Sequence, residues 1–233
     1  MAFRSAGSGK VPRDPVHHPL FARYYARVSV AAETRLGMGG VRDRLLSGLS
    51  GRVIEVGAGN GLNFAHYPGA VSEVVAIEPE RRLRQSAVEA ALRAEVPVDV
   101  APGVAEALPV KSESFDAAVV SLVLCSVRDV PRALAELRRV LRPGGTLRFF
   151  EHGAGGGRVM AAAQRGLDRT VWPRLNGGCH LARDPIAALR DAGFEPGTYR
   201  PLLMPEKGPR LPTSYCVLGS ARRPGVREAG TSS

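Results

Sequence analysis

The sequence contains only three cysteines, and their spacing matches no common ligand pattern. Cys125, Cys179 and Cys216 are widely separated along the 233 residues. There is no Cys-x-x-Cys motif, and no histidine–cysteine cluster has the short intervals typical of zinc sites. We therefore predict neither a disulfide framework nor a bound metal. Scattered cysteines of this kind fit a reducing compartment, so we expect a cytoplasmic protein.

Long apolar runs are also absent. No stretch approaches the ~20 apolar residues that cross a bilayer, so we predict no transmembrane segment. Residues 1–19 are rich in Gly, Pro, Ser and Arg and lack the apolar centre of a secretory signal. We predict that residues 1–19 and 221–233 are disordered and that residues 20–220 form one domain.

Aromatic and acidic residues are scarce beside the basic ones. The chain has 32 Lys and Arg against 22 Asp and Glu, a formal charge of +10, and only 6% aromatic residues. A basic surface can attract nucleic acid or an anionic membrane. The positive residues are scattered, however, and few aromatic side chains are available to stack on bases. We therefore predict no nucleic-acid partner, whereas peripheral membrane contact and the oligomeric state stay open.

From residue 52 onward, short apolar runs alternate with helical patterns. Strands are predicted at residues 52–56, 73–77, 98–101, 116–121, 146–150, 198–203 and 214–218. Helices are predicted directly after Gly61 and at residues 80–94, 129–141, 158–170 and 184–192. Near-continuous apolar strands alternating with helices indicate an α/β fold with a parallel sheet covered on both faces. A ligand is then expected at the carboxyl ends of the strands.

Two further helices are predicted before this region, over residues 20–27 and 29–49. The first carries an apolar stripe that either caps the ligand site or simply packs on the domain. The second is predicted to break at its three glycines, Gly37, Gly39 and Gly40.

The most informative stretch is residues 53–61, Val-Ile-Glu-Val-Gly-Ala-Gly-Asn-Gly. A buried strand there breaks into glycine at every second position, Gly57, Gly59 and Gly61. Glycine permits positive φ in a tight turn and lets a ligand approach the backbone. Glu78 ends the next apolar run, 17 residues after Gly61. An acid at that position is placed to bind the hydroxyls of an adenosine ribose, so we predict an adenosine-containing cofactor.

The glycine spacing narrows the choice of cofactor. Dinucleotide sites use Gly-x-Gly-x-x-Gly, whereas this chain has Gly-x-Gly-x-Gly with Glu55 two residues before it. A negative charge there repels a pyrophosphate but attracts an ammonium and a sulfonium group. The pattern resembles motif I of the class I S-adenosylmethionine (AdoMet)-dependent methyltransferases. The resemblance implies that Glu55 binds the methionine ammonium of AdoMet and Glu78 its ribose.

The same resemblance implies the fold and the remaining cofactor contacts. The family has a Rossmann-like fold with a seven-stranded, mostly parallel sheet, an antiparallel last strand and helices on both faces. Residues 105–109, 115–116 and 141–145 also look like family segments, although Val104 stands where the family has an Asp near the adenine. Backbone atoms or Glu106 would then contact the adenine. Cofactor contacts are expected at Glu55, Gly57, Ala58, Gly59, Gly61, Asn63, Glu78, Pro79, Val104, Ala105, Glu106, Ser121, Leu122 and Val123.

A narrower resemblance extends to about residue 219. Residues 63–68, 122–127, 139–145, 150–152 and 178–183 look like the methyltransferase-like 7 family. Its animal members are membrane-associated and methylate thiols. The sequence shows no N-terminal hydrophobic anchor, so we do not expect the membrane location to carry over. Sister branches methylate phospholipids or quinones.

Methyl transfer requires the nucleophile to be held near the methyl group with water excluded. A thiol of pKa about 8.5 is already partly ionised at neutral pH. Where a base is used, His152 and His180 are the candidates, although each histidine could instead pack or cap a loop. Asn63, like Asn60, either caps the helix expected after Gly61 or touches the cofactor. The acceptor pocket is expected at Tyr24, Tyr25, Cys125, His152 and His180.

These patterns together predict an AdoMet-dependent methyltransferase. Residues 20–50 would form N-terminal helices, residues 51–152 the AdoMet-binding core, and residues 153–220 the substrate side. The acceptor is expected to be small and fairly apolar, with a thiol as the first candidate. The alternatives are a phospholipid or quinone methyltransferase, a non-catalytic AdoMet-binding module, and a nicotinamide dehydrogenase.

Overall fold

A computed structural model of the chain describes residues 23–26, 29–31, 33 and 36–225. The first three of these ranges are helical, within the two helices predicted there. The segment 1–19 that was predicted to be disordered, and the tail from residue 226, lie outside the described residues.

Seven strands and a set of short helices make up residues 36–225. The strands are β1 (Gly51–Val56), β2 (Val71–Ile77), β3 (Val98–Ala101), β4 (Phe115–Ser121), β5 (Leu141–His152), β6 (Glu195–Leu203) and β7 (Tyr215–Arg222). The α-helices are α1 (Met38–Leu46), α2 (Arg81–Ala91), α3 (Val130–Val140), α4 (Gly157–Asp168), α5 (Trp172–Leu175) and α6 (Pro185–Asp191). Short 3₁₀ helices lie at Phe64–His66 and Pro212–Ser214.

All seven strands belong to one sheet of order β3-β2-β1-β4-β5-β7-β6. The strands from β3 to β5 pair in parallel, and β7 is antiparallel to both of its neighbours, β5 and β6. The predicted α/β fold, mostly parallel with an antiparallel last strand, is confirmed. The strand order reverses direction between β1 and β4, and the carboxyl ends there form the crevice in which such folds bind ligands.

The core lies on both faces of the sheet because successive strand residues point in opposite directions. On one face Ile54 packs in a cluster with Leu134 of α3 and Leu189 of α6. On the other face Val53 packs with Leu45 of α1 and with α2. Both faces of β1 are therefore sealed, and only its carboxyl end is left to meet a ligand.

Three helices are capped at their N-termini by the acidic residues at which the sequence predicted them to begin. The side chains of Glu80, Asp129 and Asp184 accept hydrogen bonds from backbone N–H groups in the first turns of α2, α3 and α6. An acid in this position satisfies donors that have no partner within the helix and complements the helix dipole.

The helix predicted directly after Gly61 is wrong. Only the three-residue 3₁₀ helix Phe64–His66 forms there. Tyr67 is already extended, with φ −69° and ψ 130°, because it precedes Pro68 and the residue before a proline disfavours helical backbone.

The break in the second N-terminal helix occurs at one glycine of the three. Gly37 has φ 70° and immediately precedes α1. Gly39 and Gly40 lie inside that helix, and it ends at Leu46, three residues earlier than predicted. A left-handed residue stops a helix, whereas glycine with ordinary φ only weakens it.

The C-terminal boundary of the domain also differs from the prediction. Strand β7 continues to Arg222, inside the segment expected to be a disordered tail, and it pairs with β5 from Thr146 to His152. The Arg223 guanidinium reaches the carbonyl groups of Arg138 and Leu141. Periodicity missed this extension because the residues that pair with it are about 80 positions away. Among the described residues, no helix has both the length and the apolar character of a membrane span.

Candidate functional site

The turn after β1 is built from glycines in left-handed conformation. Gly57, Gly59 and Gly61 have φ of 73°, 59° and 78°, as the turn chemistry requires. A Cβ on Gly57 would lie 2.4 Å from Cγ2 of Val123. A Cβ on Gly61 would likewise clash with Phe64. Gly57 and Gly61, at the two ends of the motif, are therefore required for close packing against neighbouring side chains. A Cβ on Gly59 would not clash, since it would meet only Tyr25 at 3.4 Å.

Glu78 stands at the tip of β2 and supports this turn. Its Oε2 accepts a hydrogen bond of 2.8 Å from the N–H of Gly59, and its Oε1 accepts one of 2.8 Å from the N–H of Glu80. The carboxyl is buried, and burial raises its pKa from 4.5 to about 7. Each carboxylate oxygen has a second lone pair, so the group can still accept hydrogen bonds from two ribose hydroxyls.

Glu55 points into the domain and not into the crevice. Its two oxygens accept hydrogen bonds from Asn63 Nδ2 at 2.8 Å and from the Tyr67 hydroxyl at 2.7 Å. Arg42 donates to the other side of Asn63 at 2.5 Å. Burial raises the pKa of Glu55 from 4.5 to about 7. The prediction that Glu55 contacts the methionine ammonium finds no support in this geometry.

Asn63 likewise does not serve as the helix cap expected of it. It precedes the 3₁₀ helix, but its side chain makes no capping hydrogen bond. Its amide links Arg42 to Glu55 in the interior. The amide of Asn60 donates to the hydroxyl of Ser29 and so ties the turn to the N-terminal helical segment.

A cavity of about 450 Å³ opens at the carboxyl ends of β1, β2 and β4. Its volume lies within the range of small-molecule sites. Of the expected cofactor residues, ten line it: Gly57, Gly59, Glu78, Pro79, Val104, Ala105, Glu106, Ser121, Leu122 and Val123. Glu55, Ala58, Gly61 and Asn63 do not line it.

The end of β4 forms the wall opposite the glycine turn. Leu122 has φ 58°, a strained value for a residue with a branched side chain, and its N–H donates to the carbonyl of Phe150 at 2.7 Å. The buried carboxylate of Glu151 accepts hydrogen bonds from the backbone N–H groups of Val123, Leu124 and Cys125. This acid at the end of β5 therefore holds the cavity wall in shape.

The part of the cavity around Val104 to Glu106 has a different support. The Glu106 carboxylate accepts a hydrogen bond of 3.0 Å from the N–H of Arg128, and the Arg132 guanidinium donates to the backbone carbonyl of Glu106. Val104 pairs with Ala107 through a single antiparallel β-bridge. Val104, Ala105 and Glu106 line the cavity, and the recognition of the adenine by their backbone or by Glu106 stays a prediction.

The predicted acceptor residues do not come together. Tyr25 lines the cavity, and its Cε1 would lie 3.4 Å from a Cβ on Gly59, so this side chain lies over the glycine turn. Tyr24 is 59% exposed and does not line the cavity. Cys125 and His152 line a separate cavity of about 630 Å³ beside α3 and α6. His180 lines neither, and its Nδ1 lies 2.7 Å from the carbonyl of Gly178.

Several residues of the site were not assigned from sequence. They are the buried Glu151, the inward-facing Arg42, and the pair Gly177 and Gly178, both of which line the cavity. Glu151 stands in a Phe-Glu-His segment that was noted only for its resemblance. An acid directly after the apolar pair Phe149-Phe150 at the end of a predicted strand was the available signal, since a buried carboxylate requires several donors.

The comparisons with known proteins identify the family of this chain. The sequence profile of the methyltransferase domain family matches residues 54–149. The chain is 36% identical to human thiol S-methyltransferase TMT1B over 155 residues, which cover 64% of this chain and 63% of that protein. It is 32% identical to the ubiquinone/menaquinone biosynthesis C-methyltransferase UbiE of Syntrophotalea carbinolica over 170 residues, which cover 68% and 70%.

Solved structures show the same fold. An S-adenosylmethionine-dependent methyltransferase from Thermotoga maritima superposes with a TM-score of 0.64 at 24% identity, covering 88% of this chain and 98% of that one. Fold and crevice together define a Rossmann-like nucleoside-binding protein. The chain belongs to the AdoMet-dependent methyltransferase family, whose cofactor is AdoMet. It spans less than two thirds of the length of the thiol S-methyltransferases that it matches.

Proposed function

We propose that the chain transfers the methyl group of AdoMet to a small, fairly apolar acceptor, and that the acceptor is a thiol. The observation that carries the proposal is the cavity between the glycine turn and the end of β4, with Glu78 in its wall. Its volume, its left-handed glycine turn and its acid at the tip of β2 fit an adenosine nucleoside. The 36% identity to a thiol S-methyltransferase supports the choice of acceptor.

AdoMet supplies a methyl group on a positively charged sulfur, which is a good leaving group. Within the proposal, Glu78 binds the ribose, and backbone groups from Val104 to Glu106 bind the adenine. Leu122 and Val123 position the methyl end. Tyr25 covers the mouth and excludes water. Holding the acceptor and the methyl group in the reactive orientation lowers the activation free energy by roughly 7–11 kcal/mol in well-oriented reactions.

The lining of the cavity supports an acceptor that needs no strong base. Within the described residues, its ionisable side chains are acids and arginines together with Tyr25, and no histidine is among them. His152 Nδ1 lies 3.4 Å from the sulfur of Cys179, and His180 faces a carbonyl. A thiol is partly ionised near neutral pH and reacts as its thiolate, so it can be methylated without a dedicated base. The predicted catalytic roles of His152 and His180 therefore stay unsupported.

A quinone acceptor is the second candidate, because the chain is 32% identical to a quinone C-methyltransferase over 70% of that protein. Purified protein with methyl-labelled AdoMet should be incubated with alkyl and aryl thiols, a demethylated quinone and a phosphatidylethanolamine vesicle. We expect a labelled thioether from the thiols. Label in the quinone or lipid alone would overturn the thiol assignment.

The same assay separates the other classes of function. A protein that binds S-adenosylhomocysteine but yields no product with any acceptor is a binding module. Binding of NAD(H) without binding of S-adenosylhomocysteine at millimolar concentration would reject the methyltransferase activity. We also propose a cytoplasmic location, which the three free thiols support and which cell fractionation tests.

A further inference from the structure

Three soft ligand atoms meet behind the cofactor cavity. They are Sγ of Cys125 after β4, Nδ1 or Nε2 of His152 at the end of β5, and Sγ of Cys179 in the loop after α5, and all lie within 4.8 Å of one another. The two cysteines are buried, with 2% and 6% exposure. Cys179 Sγ is 3.4 Å from His152 Nδ1. We refer to these three residues as the Cys–His cluster.

The separations in the Cys–His cluster are close to those of a tetrahedral zinc site. Zinc binds thiolate sulfur at about 2.3 Å and imidazole nitrogen at about 2.0–2.1 Å, so neighbouring donors lie roughly 3.5–3.8 Å apart. The Cys179–His152 separation already matches this value. The remaining pairs need to approach by about 1 Å at most, which side-chain rotation can supply.

A hydrogen-bond donor that a thiolate ligand can use packs against the Cys–His cluster. The buried indole N–H of Trp172 has no hydrogen-bond partner among the described residues. Outer donors of this kind stabilise metal-bound thiolates. The buried carboxyl of Glu151 lies beside the cluster, since it accepts a hydrogen bond from the Cys125 N–H.

We propose that Cys125, His152 and Cys179 bind a zinc ion with water as the fourth ligand. The prediction of no metal looked for ligands close together in sequence, whereas these three lie 27 residues apart at each step. Three protein ligands of the Cys₂His type and an open fourth position are a known zinc arrangement. The ion would replace the protons of the two thiols, because zinc binds thiolate.

The position of the cluster gives the ion a structural task. Gly177 and Gly178, just before Cys179, line the cofactor cavity, as do Val123 and Ser126 on either side of Cys125. A Cβ on Gly178 would lie 2.8 Å from the Ser126 carbonyl, so the two segments are in direct contact. A zinc ion would clamp them together and fix one wall of the cavity. This consequence rests on the proposed cofactor site, whereas zinc binding itself does not.

The first experiment measures metal binding without AdoMet or acceptor. The full chain, reduced and stripped with a chelator, is dialysed against Zn²⁺, and bound zinc is counted by elemental analysis. Co²⁺ replaces zinc in a second sample, in which thiolate ligands produce a charge-transfer absorption. We expect one ion per chain, and at least a tenfold weaker affinity in Cys125→Ser and Cys179→Ser.

Cys216→Ser is the matched control, because Cys216 is also a buried free cysteine but lies outside the Cys–His cluster. It should bind zinc as the unchanged chain does. No zinc above one ion per ten chains, or equal zinc in the Cys179→Ser chain, would overturn the proposal. A Cys→Ser variant that fails to unfold cooperatively is replaced by His152→Ala under the same criterion.

The second experiment tests the clamp. Titration calorimetry with S-adenosylhomocysteine compares the zinc-loaded and zinc-free chains, and we expect about fivefold weaker binding without zinc. Zinc binding with unchanged nucleoside affinity would remove the structural task but keep the site. Zinc binding without any nucleoside binding would instead contradict the cofactor site, so the two failures are distinguishable.

Discussion

At the scale of residues, Glu55 and Glu78 occupy similar positions in the sequence pattern but have different surroundings in the fold. Glu55 and Glu78 each lie near the carboxyl end of a buried strand, and burial raises the pKa of both to about 7. Glu78 faces the cavity and holds the N–H of Gly59, whereas Glu55 is enclosed by Asn63 and Tyr67. Spacing located both acids, but only packing decided which of them lines the cavity.

Replacing Glu78 with glutamine should weaken the nucleoside site. Gln keeps the shape of the side chain but places an NH₂ group against a backbone N–H, and it loses one ribose acceptor. A hydrogen bond to a charged group contributes about 1.5–3 kcal/mol, so we expect at least about a tenfold loss of S-adenosylhomocysteine affinity by titration calorimetry.

The control is Glu89→Gln, the same chemical change on an exposed position of α2. Its affinity should equal that of the unchanged chain. An equal affinity in the Glu78→Gln chain would show that this acid does not hold the ribose.

At the scale of elements, the β1 turn and the end of β4 are fitted to each other. Gly57 touches Val123, and Glu151 fixes the backbone from Val123 to Cys125. The turn could be predicted from the sequence because its positive φ angles require glycine at those positions themselves. The opposite wall is not, since its conformation depends on an acid 28 residues further along the chain.

Gly57→Ala should destabilise the fold more than backbone strain alone. Gly48 has the same φ of 73°, and a Cβ there would meet nothing within 4 Å, so Gly48→Ala measures strain only. We expect a loss of about 1 kcal/mol for Gly48→Ala and about 2–4 kcal/mol for Gly57→Ala, which adds the clash with Val123. Urea unfolding gives both values. Equal losses would mean that the β4 wall moves away freely.

At the scale of the whole molecule, the buried acids set a pH dependence. A carboxyl whose pKa is raised by folding holds its proton in the folded state after the unfolded chain has released it. The stability of the ligand-free protein should therefore fall as pH rises from about 4.5 to about 7, by up to about 3 kcal/mol for each of Glu55 and Glu78, and then level off.

Urea midpoints at pH 5, 6, 7 and 8 test this dependence. The variant Glu55→Gln should flatten the slope because the amide does not titrate, and Glu89→Gln should leave it unchanged. A stability that rises from pH 5 to pH 7 in the unchanged chain would contradict the assignment of raised pKa values.

The sequence by itself determined the alternation of strands and helices, the glycine turn and the acid at the tip of β2. These depend on periodicity and on the φ that a residue tolerates, which are properties of neighbouring residues. The continuation of β7 to Arg222, the enclosure of Glu55, the hydrogen bonds of Glu151 and the meeting of Cys125, His152 and Cys179 were decided only by tertiary structure. Each joins groups far apart in sequence, and the direction in which such side chains point depends on how the layers pack against the sheet.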